Sequence, residues 1–109
     1  MIMTTMETLP NAVVSDVRGV AMGNTIRSKH LGRDIGAALK TLVGGELKGY
    51  TEMLTESRNE AVQRMLEHAD SMGADAVVNV RFTTSQVAGG AAEILAYGTA
   101  VTIRRSVDS

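Results

Sequence analysis

The sequence predicts an α+β fold in which a small antiparallel sheet packs against two helices, forming a two-layer subunit. Segments rich in β-branched residues stand at both ends of the chain, and the middle carries apolar residues at spacings of three and four. Glycines separate these segments. A chain of 109 residues has the length of one domain, so residues 1–109 are expected to form a single domain.

The N-terminal part predicts two strands joined by a turn. Residues 1–6 form a short first strand, and Leu9-Pro10-Asn11 indicates a turn because proline fixes φ and asparagine tolerates left-handed geometry. The valine-rich segment 12–23 is typical of a second strand. Gly19 inside this segment predicts a bulge or a close approach of another backbone.

The middle of the chain predicts two helices. Residues 31–43 place apolar side chains on one helical face, with Ser28 as the N-cap and Gly44 as the stop. A glycine-rich linker covers residues 44–49. The second helix runs from Tyr50 to Met72, ends at Gly73, and includes the favourable pair of Glu60 and Arg64.

Two strands close the chain, over residues 75–83 and 93–104, joined by a glycine-containing hairpin at 88–91. Residues 105–109 are expected to be a frayed tail. The side chains on one face of the last strand are small but hardly polar. A strand with one face in water should alternate more regularly between apolar and polar residues. We therefore expect this face to be covered, with a second copy of the chain as the cover; its members are Ile94, Ala96, Gly98, Ala100 and Thr102.

Composition excludes several classes of function. Eleven basic against twelve acidic residues give a net charge of −1, so no basic field attracts nucleic acid or an anionic membrane. The absence of cysteine excludes disulfides, cysteine-based zinc sites and thiol catalysis. Neither a membrane span nor a signal peptide is indicated, and the expected location is the cytoplasm.

A metal ion is the cofactor that the residues suggest, with its identity left open. His30 and Asp34 stand four positions apart and would share one face of the first helix, as two ligands of one metal do. A partner chain or His68 would have to complete the site. The alternative is a hydrogen bond between His30 and Asp34 on the helix surface.

The linker between the helices is a second candidate site. Gly44, Gly45, Lys48 and Tyr50 surround the start of the second helix, where free N–H groups can hold an anion. The segment lacks the Gly-Lys-Ser/Thr ending of a phosphate-binding loop. A tight connection between helices explains the same glycines, so both interpretations stay open.

No catalytic motif is present, and we expect the protein not to be an enzyme. Neither histidine lies in a nucleophile motif, and nucleophilic catalysis requires a base beside the nucleophile. An enzymatic alternative would use Glu93 together with Arg81 or Tyr97 across the last hairpin.

Four motifs in order resemble a known family. They are Arg33-Asp34, Gly44-Gly45 with Tyr50 beyond, Met72-Gly73-Ala74-Asp75-Ala76-Val77-Val78, and Tyr97-Gly98-Thr99-Ala100-Val101. Together they resemble the YbjQ-like family of small, uncharacterised bacterial proteins, which is labelled as a heavy-metal-binding domain. The resemblance runs from Ile2 to Ile103. It implies an antiparallel sheet packed on helices and ring-shaped homo-oligomers, typically pentamers.

These observations predict a ring-forming, non-enzymatic binding protein. A metal ion or small ligand would bind at a subunit interface or near residues 44–50, with Arg33 and Asp34 as the matched family motif. Arg33 and Asp34 would alternatively form a salt bridge that fixes the first helix to a neighbour. The alternative function is a structural or protein-interaction module without a small ligand.

Overall fold

In the part of the chain that the structure describes, a long helix packs on a four-stranded sheet. A computed structural model describes residues 1–27, 45–87 and 91–106. The elements are β1 (Ile2–Met3), β2 (Ala12–Arg27), α1 (Gly45–Ser71), β3 (Ala76–Val87) and β4 (Ala91–Arg105). The predicted first helix, at 31–43, lies outside the described residues, as do its cap Ser28 and its stop Gly44.

The sheet is mixed, not purely antiparallel as predicted. The strand order is β1-β3-β4-β2, with β2 and β3 both antiparallel to β4. β1 pairs with β3 in parallel, Ile2 opposite Ala76. Parallel strands require a long crossover connection, and here the whole of β2 and α1 lies between β1 and β3.

The N-terminal segment continues along β3 beyond β1. Backbone hydrogen bonds join Thr4 N to Val77 O and Asn79 N to Met6 O, at 3.0 and 2.8 Å. Asn79 has a φ of +58° at a break in the register between β3 and β4. Asparagine tolerates this left-handed geometry better than most residues. Residues 1–6 are therefore held on the sheet edge, although only Ile2–Met3 forms a strand.

Two turn predictions of the N-terminal half are confirmed. Asn11 has a φ of +58°, and Gly19 has a φ of +139° at a register shift between Val17 and Gly19. β2 continues four residues beyond the predicted end at residue 23, because Thr25 and Ile26 are β-branched and pair with β4. β3 extends to Val87 for the same reason, through Thr83 and Thr84.

The helix begins at Gly45, so the predicted linker is wrong for residues 45–49. Glu46, Leu47 and Lys48 are good helix formers, and one internal glycine costs only about 1 kcal/mol. Its end agrees with the prediction. Gly73 has a φ of +77°, and the bonds Gly73 N to Asp70 O and Ala74 N to Ala69 O close the helix as a Schellman motif.

The core lies between α1 and one face of the sheet. Ala61, Met65 and Ala69 of the predicted apolar stripe are fully buried, as are Val77 and Val80 of β3. The small residues of β4 predicted to lie under a second copy instead belong to this core; they include Ile94, Ala96 and Ala100. Their cover is the helix of the same chain, so that part of the prediction is wrong.

The end of the chain is more ordered than predicted. Arg105 is the last residue of β4, opposite Ala12, and the N–H of Ser106 donates to Asn11 O at 2.9 Å. The predicted frayed tail thus contains at least two held residues. Residues 107–109 lie outside the described part, as do 88–90 of the predicted hairpin.

Candidate functional site

The surface of the sheet that faces away from α1 is here called the open face. At one end of it Leu9 packs on the buried residues Ala76, Val78 and Val101, whereas along β2 it has no cover among the described residues. On β2, Ala21 and Thr25 are buried against the helix, so the alternate residues point the other way. Register extends this face to β4 and β3, because residues directly opposite share one side of a sheet. Met22 lies opposite Tyr97, and Tyr97 lies opposite Arg81.

The β2 part of the open face is apolar and exposed. We call Val17, Val20, Met22 and Ile26 the apolar stripe; their exposed fractions are 61%, 55%, 50% and 58%. A scattered exposed apolar residue is ordinary, whereas a contiguous apolar patch marks a binding surface. The stripe follows one strand, and Tyr97 of β4 lies beside it. This geometry suits contact with another macromolecule.

A polar group interrupts the open face at Glu93. Its Oε2 accepts a hydrogen bond from Asn24 Nδ2 at 3.1 Å, and its Oε1 accepts one from Ser85 Oγ at 3.2 Å. The three residues belong to β4, β2 and β3, so one carboxylate connects all three long strands. A carboxylate accepts about four hydrogen bonds, so these two donors leave it further acceptor capacity.

Arg81 is directed away from Glu93. Its guanidinium donates to the carbonyl oxygens of Thr5 and Val80, at 2.9 and 2.8 Å, and to Asn79 Oδ1 at 3.1 Å. These bonds fix the N-terminal segment to the β3 bulge. In register, Arg81 lies opposite Tyr97, whereas Glu93 lies opposite Ser85. The structure therefore gives no support to the enzymatic alternative that pairs Glu93 with Arg81.

His68 is not arranged as a metal ligand. Its Nδ1 accepts a hydrogen bond from the backbone N–H of Met22 at 3.0 Å. In a neutral imidazole whose Nδ1 accepts, Nε2 carries the proton, so neither nitrogen offers a lone pair to a metal. Among residues 1–27, 45–87 and 91–106, no group of three or more histidine or carboxylate side chains is placed to hold an ion.

Most of the ligand residues predicted from sequence fall outside the described residues. His30, Arg33, Asp34 and Gly44 belong to this set. Gly45, Lys48 and Tyr50 lie in the first two turns of α1. The predicted anion site at this helix start would thus begin at Gly45, five residues before the predicted start.

Sequence reasoning missed the residues that organise the open face. The period-two pattern of Val20, Met22, Asn24 and Ile26 against Ala21, Gly23 and Thr25 is visible in the sequence once β2 is extended to Arg27. The partners of Glu93 carried no signal, because Asn24 and Ser85 are 69 and 8 residues away in the chain.

The fold and this surface define a small α+β protein, in whose described residues a long helix packs on a mixed four-stranded sheet. Its residues 1–104 match the model of the YbjQ-like family, described as "Putative heavy-metal-binding". The chain belongs to that family. No helix in the described part of the chain is long and apolar enough to cross a membrane.

Several relatives carry only a family designation as their name. The chain is 58% identical to a UPF0145 protein of Thermosipho africanus over 106 residues, covering 97% of this chain and 98% of the relative. It is 60% identical over 103 residues to a UPF0145 protein of Archaeoglobus fulgidus, covering 94% and 95%. The second relative is archaeal, so the family is not confined to bacteria as the resemblance implied.

A solved structure shares the fold at low sequence identity. It is a protein of unknown function of the DUF74 family from Pediococcus pentosaceus, with a TM-score of 0.57 and 20% identity. The match covers 95% of this chain and 98% of that one. At this identity the likeness concerns the fold alone.

The family description raises the question of whether the described residues fit a heavy metal. Soft metals favour thiolate, thioether and imidazole ligands; the chain has no cysteine, but it has seven methionines. The lone pair of His68 Nδ1 is taken up by Met22. Histidine and carboxylate side chains therefore form no site for such a metal among the described residues, and the remaining histidine, His30, lies outside them.

Proposed function

We propose that this protein is a non-enzymatic binding protein that works as a ring-shaped homo-oligomer, with subunits meeting through the open face. The observation that carries the proposal is the apolar stripe, whose four side chains are half or more exposed on one strand. Burial of such side chains stabilises association by about 25 cal/mol per Å² of apolar surface. A patch of this kind is a liability on an isolated subunit.

The shape of the chain supports contact with further copies. Its radius of gyration is 17.8 Å, with extents of 62 × 25 × 16 Å. A compact domain of about 100 residues has a radius of gyration near 13 Å. An elongated subunit exposes more surface than a compact subunit of the same length. Symmetric assembly is the usual way in which such surface becomes buried. The five-membered ring is the form that the sequence resemblance implies.

Glu93 gives this interface its polar component. Two neutral donors hold its carboxylate without neutralising the charge. A cationic group of a neighbouring subunit or of a small ligand would complete its hydrogen bonding, since a buried charge requires a partner. The ligand of the assembly would bind there or at the start of α1, where Gly45, Lys48 and Tyr50 lie. We propose the cytoplasm as its location.

A second candidate function is a protein-interaction module without a small ligand. The same observation favours it, because an apolar strand surface with one polar anchor also suits the surface of a different protein. The two functions differ in what the purified assembly retains. A binding protein would retain the mass of its bound metal ion or small ligand, whereas an interaction module would be an oligomer without a bound ligand.

The test is native mass spectrometry of protein purified without a histidine tag or added metal. We expect an oligomer for the unsubstituted chain and a folded monomer for Val20→Asp, because a buried charge in the stripe opposes association. Gln63→Asp adds the same charge at an exposed position of α1 and should leave the oligomer intact. A monomeric unsubstituted chain, or an unchanged Val20→Asp oligomer, would contradict the proposed assembly.

A further inference from the structure

Side chains of the helix close part of the outer edge of β2. β2 is the last strand in the sheet order, so one side of its backbone has no strand neighbour among the described residues. The backbone N–H of Met22 donates to His68 Nδ1 at 3.0 Å, and Arg64 Nη1 donates to the carbonyl oxygen of Asn24 at 2.7 Å. Residues 64 and 68 are one helical turn apart. The backbone groups of residues 22 and 24 point to the same side of the strand, since the two residues are two positions apart.

The two helix side chains occupy the positions at which a further strand would bond. Arg64 supplies the donor and His68 the acceptor that a neighbouring backbone would supply. Open edge strands invite pairing with another chain, and proteins close them by such devices. The guanidinium is permanently charged and always a donor, whereas the imidazole accepts only while it is neutral.

We propose that His68 is a pH-sensitive latch on the outer edge of β2. The neutral imidazole holds the N–H of Met22, and the protonated imidazole cannot, because both of its nitrogens are then donors. Protonation therefore frees a backbone donor on the same strand that carries the apolar stripe. An unperturbed histidine is the side chain that changes charge between about pH 5 and pH 8, which is the range that the experiment below covers.

Several charged groups surround this histidine. Arg64, Glu67 and Asp70 are its charged neighbours on α1. From β2, Arg18 donates to the carbonyl oxygen of Met72 at 2.9 Å and pairs with Asp16 at 3.2 Å. Arg64 is held by Glu60 and Asn24, and Arg18 by Asp16 and Met72. These bonds keep the rest of the helix end on the strand while the imidazole changes its charge.

The core under the latch does not depend on the imidazole. Met65 and Ala69, on either side of His68 in the helix, are fully buried. Opening is therefore local, at one backbone amide, and leaves the helix in place. The latch is a property of the single subunit, so the proposal of the latch can be correct or wrong independently of the proposed assembly.

The experiment is amide hydrogen exchange of ¹⁵N-labelled protein by NMR, at several values between about pH 5 and pH 8. After correction for the intrinsic rate, we expect the protection of the Met22 amide to fall about five- to tenfold as the imidazole becomes protonated. The amide of Asp75, which donates to Val101 O at 2.8 Å, serves as a control far from His68 and should not change.

Two variants separate the effect of the charge on His68 from the effect of its hydrogen bond with the Met22 N–H. His68→Asn places an oxygen at the same bonded distance from Cα as Nδ1 and does not titrate, so Met22 should stay protected at every pH. His68→Phe keeps a ring without an acceptor, so Met22 should be poorly protected at every pH. The proposal is overturned if protection of Met22 in the unsubstituted chain stays constant while the imidazole signals titrate, or if His68→Asn shows the same pH-dependent loss.

Discussion

Gly23 of β2 lies directly against the backbone of α1 at Ala61. A Cβ built on residue 23 would overlap the carbonyl oxygen of Ala61 and the backbone nitrogen of Met65. Helix and strand therefore touch through their backbones, with no side chain between them at this point. This contact places α1 over the edge strand β2, where His68 and Arg64 reach the outer backbone groups of that strand.

Gly23→Ala should be strongly destabilising. The added methyl group has no space, and overpacking of this kind costs about 1–3 kcal/mol. Urea denaturation followed by circular dichroism measures the loss. Gln63→Ala serves as the control, because Gln63 is exposed on α1, outside the proposed interface, and its truncation should cost under about 0.5 kcal/mol. Equal losses for the two variants would contradict the backbone contact.

Substitution of Gly73 should destabilise the protein through backbone geometry alone. Its φ is +77°, yet a Cβ there would lie 3.6 Å from Arg18 Nη2, at ordinary contact distance. Gly73→Ala is therefore expected to cost about 1–2 kcal/mol through the left-handed conformation. Gly73→Asn should cost less, since asparagine also ends helices in this geometry. Thermal unfolding ranks the two, and a larger loss for asparagine would show that space, not φ, is limiting.

The buried hydroxyl pair of Thr25 and Ser57 links strand and helix. The two oxygens lie 2.6 Å apart, and Thr25 Oγ1 also lies 3.1 Å from the carbonyl oxygen of Ser57. Thr25→Val should cost about 1–3 kcal/mol, because the buried Ser57 loses its partner. The double variant Thr25→Val with Ser57→Ala should recover part of that loss. A double-mutant cycle measures the coupling, and strict additivity would mean that the pair contributes nothing.

Zinc binding should not depend on His68. Its Nδ1 already accepts the Met22 N–H, and no three-ligand group exists among the residues that the structure describes. We expect His68→Asn to match the unsubstituted chain in zinc stoichiometry by isothermal titration calorimetry. Any zinc bound should be lost in a variant carrying His30→Ala and Asp34→Ala. Loss of binding in His68→Asn with residues 30 and 34 intact would refute the assignment of His68 as an edge residue.

The local pattern of the sequence predicted much of the fold. The helix ending at Gly73, the bulge at Gly19 and the left-handed Asn11 follow from glycine, asparagine and helical spacing. The candidate site was harder to predict. Asn24, Ser85 and Glu93 come together only because register sets β2, β4 and β3 side by side.

The sequence by itself determined which segments form the strands and the long helix, although not all of their ends, since propensity and periodicity are local properties. Only the tertiary structure decided which face of the sheet the helix covers. The small residues of β4 could equally have faced a second copy, but Gly23 allows the helix backbone of the same chain to lie on that side. The apolar stripe is therefore left on the other side. Close packing at Gly23, which local propensity does not reveal, permits the arrangement that the structure shows.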